Sequence, residues 1–284
     1  MLQSKIVAAA FCAAALVSVT ACGGGTSQKS ATSGSTAAAA AGQAGSITAA
    51  GSTALLPLVK QAAVDYQTAH PDVKISVSGG GSRVGITQAA QKGVDIGNSD
   101  IPATGEPSLV DHRVAVVAFG VVVNPKSNVK NLTTQQIRDI FSGKTTNFKQ
   151  VGGADQAITI INRPRSSGTR AVFVKNVLAG QEPTESGLTQ DSSGTVATMV
   201  AQTPGAISYV AMGYVKGGQV AVSIDGTAPT DANVRGGKYP YWSYEHMFTN
   251  GQPSAQVAAF IDYVKTDTKL LQQLGFIPVG SMKK

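Results

Sequence analysis

Three short runs in this 284-residue chain place hydroxyl residues and glycine just ahead of a helical pattern: Gly51-Ser52-Thr53, Gly81-Ser82-Arg83 and Ser166-Ser167-Gly168-Thr169. A run of this kind leaves backbone N–H groups and hydroxyls unpaired at the first turn of a helix, where the helix dipole adds partial positive charge. The chemistry it predicts is anion binding. Any single run is equally an ordinary helix cap, since serine and threonine hydroxyls accept from the first-turn amides. Their number raises them above caps, together with Arg163 and Asp100 in similar loops. Arginine offers a planar fork of donors for two-point contact with an oxyanion, and aspartate offers an acceptor.

Other chemistries lack their residues. Gly143-Lys144-Thr145 has no glycine five positions before Gly143, so it is not a nucleotide-binding P-loop, and the glycine spacing of a dinucleotide fold is missing. Ser127 and Lys130 fit S-x-x-K by chance, with no K-T-G partner. His70, His112 and His246 show no metal spacing, and neither H-E-x-x-H nor G-x-S-x-G occurs. No nucleophile–base constellation, metal or cofactor is therefore expected.

The elements that must position these loops read as alternating strands and helices. Strands are expected at Ser46–Ala50, Val73–Ser78, Asp95–Asn98, Val114–Val123, Ile158–Asn162 and Ala206–Val210, where β-branched or alternating residues run. Helices are expected at Leu55–Ala69, Arg83–Lys92, Leu132–Phe141, Arg170–Leu178, Val196–Gln202, Pro253–Lys265 and Asp267–Leu274. Thr133-Thr134 with Gln136 nearby is an expected N-cap. Strand–loop–helix alternation predicts an α/β sheet with ligands at the carboxyl ends of its strands.

Composition narrows the class. Hydrophobic residues at 42% exclude global disorder, and two cysteines exclude a disulfide scaffold or a four-cysteine zinc site. The net charge of +7 is scattered and only 14% of residues are charged, which argues against nucleic acid as a partner. Lys5 precedes the apolar run Ile6–Val19, too short for a comfortable bilayer span, and Val19-Thr20-Ala21-Cys22 resembles a bacterial lipobox. Residues 1–21 are expected to be a lipoprotein signal peptide, with Cys22 the lipidated residue. Residues 22–45, nearly all Gly, Ser, Thr, Ala and Gln, are the expected flexible tether, a coil with a reach of roughly 25 Å. The folded part is then expected outside the cytoplasm, at the membrane through its lipid anchor only.

From Ser46 onward the chain resembles the phosphate-binding proteins of bacterial ABC phosphate uptake transporters, the PstS family, a type II periplasmic-binding-protein fold. The resemblance rests on Ala50-Gly51-Ser52-Thr53 with Pro57, on Gly81-Ser82, on Asp95-Ile96-Gly97-Asn98-Ser99-Asp100-Ile101-Pro102, and on Arg163 followed after three residues by Ser167-Gly168-Thr169 and Arg170. Leu132 to Gly143, Pro204 to Val210 and Tyr239-Pro240 also match.

That resemblance implies a two-lobed α/β fold, each lobe a mixed sheet flanked by helices. Lobe one would comprise 46–121 and 236–284 and lobe two 122–235, joined by crossings near Gly120–Asn124 and Ile224–Gly236. It implies a phosphate-binding set of Ser52, Thr53, Ala54, Ser82, Asp100, Arg163, Ser167, Gly168 and Thr169. Ala54-Leu55-Leu56 departs from the family's Thr-Phe-Pro style and leaves the first loop's donor open, as Asn98-Ser99 leaves the role of Ser99 open. Arg165 is expected at the surface, and Arg170 either supports the site or pairs with a carboxylate. The implied partners are inorganic phosphate and the permease subunits of an ABC transporter, with the chain acting as a monomer and not as an enzyme. Asp100 would accept a hydrogen bond from the proton that phosphate keeps at pH 7 and would face a bare oxygen on sulfate. Arg163 nearby would keep its carboxylate ionised. A receptor for arsenate, sulfate or molybdate in the same fold, a secreted phosphoester hydrolase, and an adhesion or signalling module without ligand are the alternatives.

Overall fold

The computed structural model describes residues 45–283. The expectations for the signal peptide, for Cys22 and for the tether up to residue 44 lie outside the described residues. In chain order the main elements are β1 (Gly45–Gly51), α1 (Leu56–Ala69), β2 (Val73–Ser78), α2 (Ser82–Ala90), β3 (Ile96–Ser99) and β4 (Leu109–Val123). They continue with α3 (Thr134–Phe141), β5 (Thr159–Asn162), α4 (Gly168–Asn176), α5 (Ser193–Gln202), β6 (Ala206–Ala211) and α6 (Asp231–Arg235). Then come β7 (Trp242–Asn250), α7 (Ala255–Thr266) and α8 (Thr268–Gln273).

One mixed sheet runs through the described chain in the order β2-β1-β3-β7-β4-β6-β5. β1 lies parallel to β2 and β3 at one side, and β5 parallel to β6 at the other. Between them β4 and β7 run antiparallel to their neighbours. The longest strand, β4, belongs to both sides. Leu109 to Ala118 lie along β7, and from Phe119 to Val123 the partner is β6. The change of partner falls between Ala118 and Phe119. The return path, Gly236 to Tyr241, is tied to the same point: Phe119 N–H donates to the Tyr241 carbonyl at 3.0 Å, and the Tyr239 hydroxyl to the Phe119 carbonyl at 2.8 Å.

The sequence accounts for these elements locally. Val114 to Val123 are all buried, as a β-branched run in the middle of a covered sheet must be. Helix α1 buries Leu58, Val59, Ala62, Ala63 and Tyr66, one 3.6-period stripe, and starts with Pro57 in its first turn. In α3 the Thr133 hydroxyl accepts from Gln136 N–H while the Gln136 side chain accepts from Thr133 N–H, a reciprocal cap. That cap starts the helix at Thr134, so Leu132 falls instead into a two-residue strand against Ile224. Helices α2, α4 and α5 begin one to three residues earlier than apolar periodicity suggests, which brings Ser82, Gly168 and Ser193 into their first turns.

The sequence pattern gives no strand over 242–250, yet β7 lies at the middle of the sheet, between β3 and β4. Its Trp-Ser-Tyr-Glu-His core hides the alternation because Glu245 and His246 are polar and still buried. His246 Nδ1 meets Asp111 at 2.7 Å, which satisfies one of the two. An aromatic chain packs across the partner change on β4: Phe119–Tyr241 at 5.0 Å, Tyr241–Phe173 at 5.3 Å and Phe173 stacked on Tyr209 at 4.3 Å.

Candidate anion site

The three hydroxyl runs converge, and a fourth joins them. Ser82, Gly168 and Ser193 are the first residues of α2, α4 and α5, and all three are buried with Ser52, Asp100, Arg163, Ser167 and Thr169. Several helix N-termini therefore aim their partial positive charge into one small volume.

Arg163, at the end of β5, is 1% exposed. Its Nε donates to the Gln190 carbonyl at 3.0 Å and its NH2 to the Asp191 carbonyl at 2.8 Å. NH1 reaches the Ser193 hydroxyl at 3.0 Å, and NH2 the Thr53 hydroxyl at 2.9 Å. All four acceptors are neutral. No carboxylate lies within ion-pair distance of Arg163 among the described residues. Burial pulls its pKa down and the nearby Asp100 charge opposes this, and an arginine guanidinium keeps its proton in proteins. A buried cation held only by dipoles is an unpaired charge that an anion would compensate.

Asp100 lies just beyond β3 at the opposite wall. Its Oδ1 accepts from the Ser52 hydroxyl and its Oδ2 from the Thr169 hydroxyl, the latter at 2.8 Å. Its N–H donates to the Ser82 hydroxyl oxygen at 2.9 Å, and its carbonyl accepts from the Ser243 hydroxyl at 2.7 Å. Residue 100 is thus fixed at both main-chain and side-chain atoms.

The two sides of the sheet meet here. Thr53 bonds across to Arg163 and Ser193, and its carbonyl accepts from the Tyr214 hydroxyl at 2.6 Å. Asp100 bonds across to Thr169, and Arg83 N–H donates to the Ser166 carbonyl at 3.1 Å. The fit leaves no room for side chains at two glycines. A Cβ on Gly168 would lie 2.7 Å from the Ser82 Cβ and 2.9 Å from the Asp100 Cβ. At Gly81, with φ +94°, it would lie 2.8 Å from the Ser166 carbonyl oxygen. Beside this contact a cavity of about 730 Å³ opens between α2 and α4, bordered by Arg83, Thr87, Pro102, Ala171 and Lys175, with Trp242 on its wall.

Some expected donors are already engaged. The Ser52 hydroxyl oxygen accepts from both Ala54 N–H and Leu55 N–H at 3.0 Å, which makes it the cap of the turn into α1. The Ser167 hydroxyl caps α4 by accepting from Arg170 N–H at 3.3 Å, and its own N–H is tied to the Pro164 carbonyl. The N–H groups of Gly168 and Thr169 are first-turn amides with no acceptor inside their helix. Ser99 folds the turn instead, bonding the Ile101 carbonyl and N–H. Arg165 is exposed and meets Glu185 at 3.2 Å. Buried Arg170 takes Glu182 at 2.7 Å while its NH1 bonds the Arg163 carbonyl at 2.8 Å, so it pairs with a carboxylate and braces the site together.

Sequence patterns did not point to Ser193 or Tyr214. For Ser193 a signal exists: Ser-Ser-Gly-Thr occurs at 166–169 and again at 192–195. Tyr214 carries none, since it arrives from a distant part of the chain.

Residues 36–268 match the family model described as a PBP superfamily domain. The phosphate-binding protein PstS of Bacillus subtilis strain 168 is 45% identical over 249 residues, covering 84% of this chain and 83% of that one. A Clostridium perfringens structure described as a phosphate ABC transporter substrate-binding protein with bound phosphate superposes with a TM-score of 0.79 at 29% identity, covering 83% of this chain and all of that one. An ABC-type phosphate transport receptor from Vibrio cholerae gives a TM-score of 0.67 at 28% identity, over 81% of this chain and 99% of that one. Relatives named for binding, at this identity and over nearly their whole length, complete what the buried arginine, the aspartate and the converging helix N-termini began: the chain belongs to the PstS family of phosphate-binding proteins within the PBP superfamily.

Proposed function

We propose that this protein captures inorganic phosphate outside the cytoplasm and delivers it to the permease of an ABC transporter. The observation that carries the reading is the pairing of a buried, carboxylate-free Arg163 with a buried Asp100 across a cradle of hydroxyls and helix N-termini. Arg163 supplies charge, Ser82, Gly168 and Thr169 supply first-turn donors, and Asp100 accepts a hydrogen bond from the O–H that phosphate retains at pH 7. Sulfate has no such proton, and facing lone pairs in a dry site cost about 1–3 kcal/mol. Protonated arsenate passes the same test, so phosphate and arsenate are expected to compete.

The chain works as two lobes, 46–121 with 236–284 and 122–235, that close on the ligand. Donors from both sides favour the closed form only when an anion bridges them. The partner change at Ala118–Phe119 and the Tyr239–Tyr241 return supply two adjacent crossings about which the lobes can rotate. The protein acts as a monomer, held to the membrane by lipid on Cys22, and serves as a binding protein rather than an enzyme.

Calorimetry with phosphate, sulfate, arsenate and a phosphomonoester tests this directly. Phosphate and arsenate should bind and sulfate should not; no heat from phosphate at millimolar concentration overturns the reading. Asp100→Asn should weaken discrimination against sulfate more than it weakens phosphate binding, and equal losses would remove the proton-acceptor role.

A further inference from the structure

Among the described residues, Glu245 is the one acidic side chain whose burial the phosphate site leaves unexplained. It sits on β7 and is fully buried, neither of its carboxyl oxygens makes a hydrogen bond of ordinary geometry, and its carboxyl lies within side-chain reach of Asp100. A carboxylate in that position would be an isolated buried anion, which costs far more than a neutral acid. Its surroundings add to this cost. Across the sheet it faces Ala115 of β4, and the neighbouring His246 pairs with Ser99 of β3, so Glu245 lies alongside the turn that carries Asp100. Ser243, two residues earlier and on the same face of the strand, donates its hydroxyl to the Asp100 carbonyl at 2.7 Å. The ladder then shifts register between Glu245 and His246, a bulge of the kind that re-aims side chains next to sites.

Asp100 is the charge that acts on Glu245, and Tyr214 is a phenol that Glu245 acts on in turn. Burial first, and the neighbouring Asp100 second, push the Glu245 carboxyl well above the usual carboxylate range. A protonated carboxyl has one donor to place. The Asp100 carboxylate, with about four lone-pair sites, spends one on Ser52 and one on Thr169. That leaves capacity for a ligand proton and for one more donor.

We propose that Glu245 is a specificity-determining residue of the anion site, a protonated carboxyl standing behind Asp100 whose O–H turns toward the Asp100 carboxylate and holds it as an acceptor-only group for the ligand's own proton. The inference rests on the phosphate reading. It deepens that reading by making discrimination depend on two carboxyls that carry one negative charge between them. Were both ionised, the pair would repel any anion; were both protonated, Asp100 could offer a proton to sulfate.

The test has two arms on the full chain. Infrared spectra at neutral pH should show a protonated-carboxyl stretch in the parent that disappears in Glu245→Gln. Calorimetry then compares Glu245→Gln, which keeps a neutral donor of the same shape, with Glu245→Met, which keeps the volume and loses the donor. Glu245→Gln should hold the phosphate-to-sulfate preference within about threefold, whereas Glu245→Met should lose about tenfold of it, the worth of one hydrogen bond to a charged group. A parent that binds phosphate without the infrared band overturns this inference alone. Equal preference in the two variants overturns the donor role. A parent with the band that binds no phosphate instead overturns the phosphate reading, and the specificity role with it. Should Glu245→Met fail to fold, the infrared band and the Glu245→Gln preference still decide the matter.

Discussion

The two Ser-Ser-Gly-Thr runs have identical residues and different jobs. At 166–169 the second serine, Ser167, is the cap, and helix α4 begins at Gly168. At 192–195 the first serine, Ser192, is the cap, and α5 begins at Ser193. That slip of one residue decides which hydroxyl enters the site. In the first run Thr169 is buried and bonds Asp100; in the second Thr195 is exposed and Ser193 bonds Arg163. One run thus serves the acceptor and the other the cation. Helix-start register, rather than composition, sets the role of a hydroxyl here.

Three experiments probe that contrast. The largest effect is expected from the cation that the second run supports. Arg163→Met should cost phosphate affinity about 2–5 kcal/mol, as truncating one member of a buried charged contact does, and calorimetry reads it directly. A loss under tenfold would mean that amides and hydroxyls bind the anion without it.

The glycines should differ next. Gly168→Ala forces a Cβ against Ser82 and Asp100, with about 1–3 kcal/mol of overpacking and a matching drop in affinity. At Gly194 the nearest atom to a new Cβ is a Tyr214 ring carbon at 3.4 Å, an ordinary contact. Gly194→Ala should raise Tm through up to about 1 kcal/mol of helix propensity and leave binding alone. Similar binding losses at both glycines would erase the distinction.

The smallest contrast separates the serines. Ser192→Ala removes a cap and should lower stability by about 1 kcal/mol in denaturant titration with Kd unchanged. Ser193→Ala strips a partner from Arg163 NH1 and should weaken phosphate binding by about 0.5–1.5 kcal/mol with less effect on stability. If Ser192→Ala changes Kd as much as Ser193→Ala, the one-residue slip has no functional weight.

Much of this arrangement is legible locally. The β-branched run of β4, the stripe of α1 and the reciprocal cap of α3 each announce themselves within a dozen residues. So do Arg163, Asp100 and Ser82, because their types fit an oxyanion and they stand where a strand ends or a helix begins. The engagement of Ser52 and Ser167 as caps is less legible, since a hydroxyl ahead of a helix can turn either way. Tyr214 reaches Thr53 across 161 positions, and no local pattern encodes that bond. β7 is hidden for a physical reason: it buries His246 by pairing it with Asp111 and buries Glu245 where only a neutral acid is comfortable. A pattern of residue types counts both as polar, and so as exposed.

Trp242, on the wall of the cavity between α2 and α4, has a practical consequence. It is the chain's only tryptophan, half-buried at the start of β7, just where the chain returns from one lobe to the other. Its indole packs edge-on against Tyr244 at 5.5 Å and borders groups from both lobes. Rotation of the lobes changes the solvent and polar groups around a single emitter. The protein therefore carries its own optical gauge, and stopped-flow fluorescence can time closure without any label.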